Sequence, residues 1–436
     1  MAKSLTLKSK FLSVLFWSII SAAFIGPGTI TTAASAGASF KEALVWALVF
    51  ATIATVILQE AAARITIASG LSLGEAIAKR YQGKSSLAIK LFIVGAIVFG
   101  GAAYQAGNIL GATSGIALIF GLNIKLVTTV IAVICFFLLW GGNAQSLAKF
   151  MGIMVALMGL VFIGVAINLD LDIIKLIKGS VIPSIPPGSD LIIIGLIGTT
   201  IVPYNLFLAS GISRGQELKE MRFGITIAVI IGGIISIAIL LVGTSIQGEF
   251  SFQALHMALE DKLGPWAGIM LGVGLFAAGF TSSITAPLAS AITAQSIFGQ
   301  NNSQWSNTGR KYRLVWIFIL ASGFLVGISG LRPIPVIIMA QAINGFLLPF
   351  ITIFLLIIVN DKSILPVSAL NSNFSNVSML LVVGITILFG ARNMMKAFSS
   401  ALDIPLQENI ILPYLSVASL LFIGYLLYKI MRLRRN

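Results

Sequence analysis

An all-α, polytopic membrane protein of about twelve spans, the first and sixth broken near their centres, is the fold class that the sequence predicts. Three observations predict it. Hydrophobic residues make up 58% of the 436 and charged residues 10%, a balance that excludes an ordinary soluble globule. The apolar residues are gathered into runs of about 20, the length that crosses a bilayer core. Two of those runs carry helix breakers at their middles, Gly26-Pro27-Gly28 in one and Gly198, Pro203 and Asn205 in the other.

Span 1 is expected over 13–38. It is too long for a cleavable signal peptide, has no cleavage-site pattern and flows directly into further spans. Proline lacks an amide hydrogen and clashes with the preceding turn, so Gly26-Pro27-Gly28 should unwind the span and start a new half-helix near Thr29. Span 2, over 43–68, holds an acid, Glu60, four residues before Arg64. That spacing puts both on one helix face, as a structural ion pair or a gate element. Spans 3, 4 and 5 follow over 88–120, 126–141 and 147–168, with the single cysteine, Cys135, inside span 4. One cysteine rules out an internal disulfide and a Cys-based metal cage, and Cys135 reads as buried filler. Span 6, over 191–212, contains "GTTIVPYNLFLAS", with its second half-helix expected to start near Asn205. Spans 7 to 10 lie over 224–245, 265–296, 314–330 and 335–359, and spans 11 and 12 over 377–391 and 411–431.

Each break opens a set of five spans, so the chain reads as one domain built from two repeats, about 11–168 and 190–360, with extra helices at about 377–431. Five is odd, so the repeats are inverted. Unwound backbone is tolerated at membrane depth only where protein or a cavity satisfies it, and paired breaks point to a substrate held between them. Lys3, Lys8 and Lys10, the loops with Lys79, Arg80, Lys84, Arg214, Lys219, Arg222, Arg310, Lys311 and Arg313, and the tail with Lys429, Arg432, Arg434 and Arg435 all fall on one side. Asp170, Asp172, Asp190, Glu249, Glu260 and Asp261 fall on the other. Both termini are therefore expected to be cytoplasmic. The formal charge of +14 is spread over those loops, which suits topology and anionic lipid headgroups; no nucleic acid is expected. His256, the only histidine, is expected solvated in an outer loop. No nucleophile–base pair, metal cluster or phosphate-cradling loop appears, so no enzyme activity and no cofactor are expected.

Four stretches resemble the Nramp (natural resistance-associated macrophage protein) metal ion transporters, which have a leucine-transporter-type fold. "IGPGTITTAASAGASF" is similar to the family's first-span segment around Asp-Pro-Gly-Asn, and "TTIVPYNLFLASG" to its sixth-span segment around Met-Pro-His-Asn-Leu. "LFAAGFTSSITAPLAS" resembles the Ser-rich eighth-span segment and "AQAINGFLLPF" the tenth-span segment ending Gln-Leu-Pro-Phe. The resemblance covers nearly the whole chain. It implies transport of a metal ion by alternating access, in a multi-pass prokaryotic inner-membrane protein acting as a monomer.

The chemistry departs from the family. Gly26 stands at the metal-binding Asp, Thr29 at the Asn, Val202 at the metal-binding Met and Tyr204 at the His associated with proton movement; Asn205 alone matches. Gln105 and Asn108 fall at acidic positions of span 3, and Leu347 at the Gln of span 10, which leaves Gln341 and Asn344 nearby. The candidate substrate site therefore comprises Gly26, Pro27, Gly28, Thr29, Thr32, Val202, Pro203, Tyr204, Asn205, Gln341 and Asn344, with Thr31 close by. Ser282 and Ser283 are candidates for a coupling ion such as sodium. Oxygen and amide donors without thioether, imidazole or carboxylate suit a hard ion such as hydrated magnesium better than manganese or iron. The hydroxyls could equally tie back to helix carbonyls. Tyr204, Gln105 and Asn108 do not titrate near neutral pH, so the family's proton coupling is not expected. Two alternatives stay open: an anion or small organic solute drawn to the helix N-termini, or a transport-inactive sensor on the same fold.

Overall fold

In a computed structural model, which describes residues 6–83, 86–141, 145–299, 302–402 and 408–435, the chain is helical throughout, with no strand among those residues. The first broken span is α1 (Leu7–Phe24) followed by α2 (Pro27–Phe40), and α3 (Val45–Ser69) returns from it. A short α4 (Leu73–Arg80) precedes the long α5 (Ser86–Phe120), then α6 (Ile124–Gly141), α7 (Gln145–Ile167) and the short α8 (Ile173–Val181). The second broken span is α9 (Asp190–Thr200) and α10 (Pro203–Ile212). After it come α11 (Leu218–Gly243), the short α12 (Phe252–Leu263), α13 (Pro265–Phe298), α14 (Arg310–Ile328), α15 (Pro333–Ile358), α16 (Asn373–Leu402) and α17 (Glu408–Arg435). Ten helical segments among the described residues are long and apolar enough to cross a membrane. One of them, Pro27–Ser69, contains the turn at Lys41 (φ 52°) and so joins the second half of span 1 to span 2.

Both breaks fall where the prolines placed them, and the half-helices begin earlier than Thr29 and Asn205. Pro27 and Pro203 are the first helical residues, because a proline ring is already set for a helix start and its missing amide would be unpaired there anyway. Gly26 (φ −122°, ψ −175°) and Val202 (φ −83°, ψ 122°) are the extended residues before them. Gly198 lies inside α9, where its missing side chain lets α15 approach: a methyl there would overlap the Gln341 carbonyl and the Gly345 amide. The close packing of α5 on α13 has the same basis, with Gly115 against Gly272 and Gly279 against Ala112.

Three short helices lie between the spans. Ser72 and Glu75 form a capping box that starts α4, with Ser72 Oγ accepting from the Glu75 amide at 3.4 Å and Glu75 Oε2 from the Ser72 amide at 2.7 Å. Asp172 caps α8 by accepting from the amides of Ile174 (3.0 Å) and Lys175 (3.1 Å). The Lys175 amide is the largest of the influences that hold its carboxyl below the ordinary range. Ser251 caps α12. His256 is thus not solvated in a loop: it lies in α12, with a side chain 15% exposed and Nε2 3.2 Å from Glu260 Oε1. Span 11 is also longer than expected, since α16 continues past 391 and brings Arg392 and Lys396 onto Asp190 at the start of α9.

Both described chain ends share one end of the bundle. Lys10 lies over the Phe223 ring at 5.6 Å and Ser13 donates to the Glu220 carbonyl, while Arg434 of α17 donates to Asn360 Oδ1 at 2.9 Å. Glu60 and Arg64 sit at this end, away from the breaks. Glu60 Oε1 accepts from Arg64 Nε at 3.1 Å and from Arg222 Nε at 2.8 Å, and Arg64 also donates to the Ala369 carbonyl and Asn371 Oδ1. Arg80 pairs with Asp361 beside it, and burial pushes the Tyr81 hydroxyl up from its ordinary pKa. The ion pair read from the i, i+4 spacing is present, joined to three further residues, Arg222, Ala369 and Asn371.

Candidate functional site

The two breaks meet through hydroxyls. Thr29, the third residue of α2, donates to the carbonyl of Phe24 across the break and lies 2.8 Å from Thr199 Oγ1 in the last turn of α9. Asn205 is the third residue of α10, so the two half-helices present a polar side chain at the same position after their prolines. Asn205 is buried and neither of its amide atoms has a protein partner.

Three other helices close the junction. Gln341 of α15 lies against Gly28, where a methyl would overlap its amide, and beside Gly195 of α9, which Thr32 also touches. Ser282 of α13 faces Gly26: a methyl built there would sit 3.5 Å from Ser282 Oγ, an ordinary contact. On α5, Gly111 makes room for the Pro27 ring, and Tyr104 meets Tyr204 edge to face with ring centres 5.7 Å apart. The Tyr104 hydroxyl lies beside Thr199 without completing a hydrogen bond. Thr29, Thr32, Tyr104, Thr199, Val202, Tyr204, Asn205, Ser282 and Gln341 are all buried. The junction is therefore closed to both ends of the bundle.

Hydroxyl bonding separates this region from the rest of the protein. Elsewhere most buried hydroxyls find partners, many in their own helices, as Thr55 to Ala51, Ser114 to Leu110, Ser290 to Ala286 and Thr352 to Leu348, and some across helices, as Thr66 to Ser210 and Thr113 to Thr128. Thr31, Thr32, Ser35, Ser283, Tyr104 and Tyr204 leave their hydroxyls without a protein partner, as do Gln105 Oε1, Asn108 Nδ2 and Gln341 Oε1. Buried polar atoms normally find partners, so this concentration makes the junction the candidate place for a polar guest. Gln105 also donates to the Ser283 carbonyl at 3.1 Å, tying α5 to α13. Asn344 turns elsewhere: its amide donates to the carbonyls of Ala340 (3.0 Å) and Gly100 (3.4 Å), and Leu347 packs on the same glycine.

Thr199 and Tyr104 are site residues that sequence reasoning missed. Thr199 had a signal, a hydroxyl one turn before the breaker Pro203; Tyr104 had none, since only packing brings α5 to the break. Among the described residues no group of three or more His, Cys, Asp or Glu side chains could hold a metal ion.

Comparison with known proteins supplies the lineage. The chain is 25% identical over 366 residues to the divalent metal cation transporter MntH of Yersinia pestis (strain Pestoides F), covering 80% of this chain and 86% of that relative. It is 25% identical over 391 residues to the MntH of Deinococcus radiodurans, covering 85% and 87%. The fold matches the crystal structure of the Eremococcus coleocola manganese transporter in complex with an aromatic bis-isothiourea substituted compound, at a TM-score of 0.74 and 18% identity over 100% of this chain and 97% of that one. It also matches a nucleobase-cation-symport-1 family transporter in a closed conformation with bromovinylhydantoin bound, at a TM-score of 0.58 and 14% identity over 96% and 92%. The family model described as natural resistance-associated macrophage protein-like, Nramp, matches residues 18–396, and this chain belongs to that family.

Proposed function

We propose that this protein is a secondary transporter that moves a metal cation across the membrane by alternating access, preferring a hard divalent ion such as magnesium to manganese or iron. One observation carries the reading. The side chains at the junction of the two broken helices offer hydroxyl and amide atoms, with Val202 and Tyr204 where a thioether and an imidazole would favour a softer metal and Gly26 where a carboxylate would supply charge. The relatives named as divalent metal cation transporters support a cation as cargo. Thr29, Asn205, Gln341 and Thr32 are the candidate ligands, acting on an ion that keeps part of its water, and Ser282 with Ser283 would serve a coupling ion. Coupling through side-chain protonation is not part of the reading, because Tyr204, Gln105 and Asn108 do not titrate near neutral pH.

The inverted repeats at about 11–168 and 190–360 would rock around this junction, with the helices at about 377–431 outside them, as a monomer and without enzymatic activity or cofactor. The basic end of the bundle, which carries both termini, would face the cytoplasm of a prokaryotic cell; the bacterial relatives support that setting. Isothermal titration of the purified protein tests the selectivity. Magnesium is expected to bind at least as tightly as manganese, and micromolar manganese binding beside weak magnesium binding would refute it.

A further inference from the structure

We infer that Thr199 is a positioning residue of the cation site, because it completes with Thr29 an oxygen pair that has no hydrogen left to give. This rests on the cation reading above and adds a residue to it. A hydroxyl has one hydrogen and two lone pairs. Thr29 gives its hydrogen to the Phe24 carbonyl, so in the 2.8 Å contact with Thr199 it can only accept. Thr199 must be the donor, which spends its hydrogen too. Two buried oxygens then remain at the junction as acceptors, held by one helix on each side of the two breaks.

The backbone amides at the two breaks are partly removed or already bonded. Pro27 and Pro203 remove one amide hydrogen from each half-helix start, and the amides of Ile30 and Asn205 are bonded to the Gly26 and Val202 carbonyls at 3.1 and 3.0 Å. A hydrated cation turns the hydrogens of its waters outward and meets lone pairs at Thr29 and Thr199. An anion finds no hydrogen on this pair and would have to turn to the Asn205 amide and the Tyr104 and Tyr204 hydroxyls instead. Thr199 is thus a positioning residue: it orients Thr29 and contributes the second acceptor, where its neighbour Thr200 bonds back to Leu196.

The test titrates the full-length purified protein with magnesium chloride and, separately, sodium acetate, in the wild type, Thr199→Ser and Thr199→Val. The expected result is magnesium binding in the wild type, affinity within about threefold for Thr199→Ser, and a loss of about tenfold for Thr199→Val, the scale of one buried hydrogen bond. If Thr199→Val does not fold, Thr199→Ala takes its place with the same expectation. Wild-type magnesium affinity in the valine or alanine variant would overturn the inference, as would a serine variant as weak as the valine one. A wild type that binds acetate and not magnesium would instead overturn the cation reading itself.

Discussion

Gly26 is a position where a carboxylate would be accepted without cost to the backbone. Its φ of −122° is open to any residue, and a Cβ there meets only Ser282 Oγ, at 3.5 Å. Gly26→Asp should therefore fold, and its charge should tighten magnesium binding by on the order of a few kcal/mol at an effective dielectric near 20. Adding Val202→Met should bring manganese binding with it. Titration beside a thermal melt checks both; a well-folded Gly26→Asp protein that loses cation flux without any gain in cation affinity counts for the anion reading. Gly28 two residues on behaves oppositely. A methyl there overlaps the Gln341 amide, so Gly28→Ala should lower stability by about 1–3 kcal/mol and shift Gln341, read as a lower melting temperature and weaker magnesium binding. The breaks themselves were legible in the sequence because proline and glycine act locally. The partners of the breaks were legible only in part, since Thr199 and Tyr104 reach the site by packing between distant helices.

At the scale of elements, the spans that apolar runs announce are present, and the short helices α4, α8 and α12 are what hydropathy passes over. Their caps were written in the chain, as in Ser72-Leu73-Gly74-Glu75, but a cap signal shows only where a helix start is sought. Asp172 gives α8 a pH signature. Its carboxyl is held below the ordinary range, so its contribution is full above the unfolded carboxyl's pKa of about 3.9 and is lost as pH falls through the lower folded value. Hydrogen exchange should find the Ile174 and Lys175 amides still protected near the ordinary carboxyl pKa and exposed only in stronger acid. Glu60 joins α3 to α11 through Arg222 and, by way of Arg64, to the 369–371 segment. Glu60→Gln leaves Arg64, 5% exposed at its side chain, without its carboxylate. A loss of about 1–3 kcal/mol in denaturation free energy is expected. An unchanged melt would show that the chain from Arg222 to Asn371 does not hold this end together. The sequence placed that pair by its spacing of four, whereas the three partners beyond it come from segments that no local pattern connects.

For the whole molecule, two helix breaks, tied by the Thr29–Thr199 contact between α2 and α9 and enclosed by α5, α13 and α15, make a buried junction that is polar at its centre. On the proposed reading it would pass its ion by opening to one side at a time. Its donors have the character of oxygen and amide ligands for a hard ion, which is the central claim. Uptake into proteoliposomes tests that claim most directly, with magnesium as the followed ion, manganese as competitor, and the proton gradient present or collapsed. The expected result is magnesium flux that survives collapse of the proton gradient and is not displaced by micromolar manganese. Flux of bicarbonate or acetate without magnesium, or magnesium flux abolished by micromolar manganese, would contradict it.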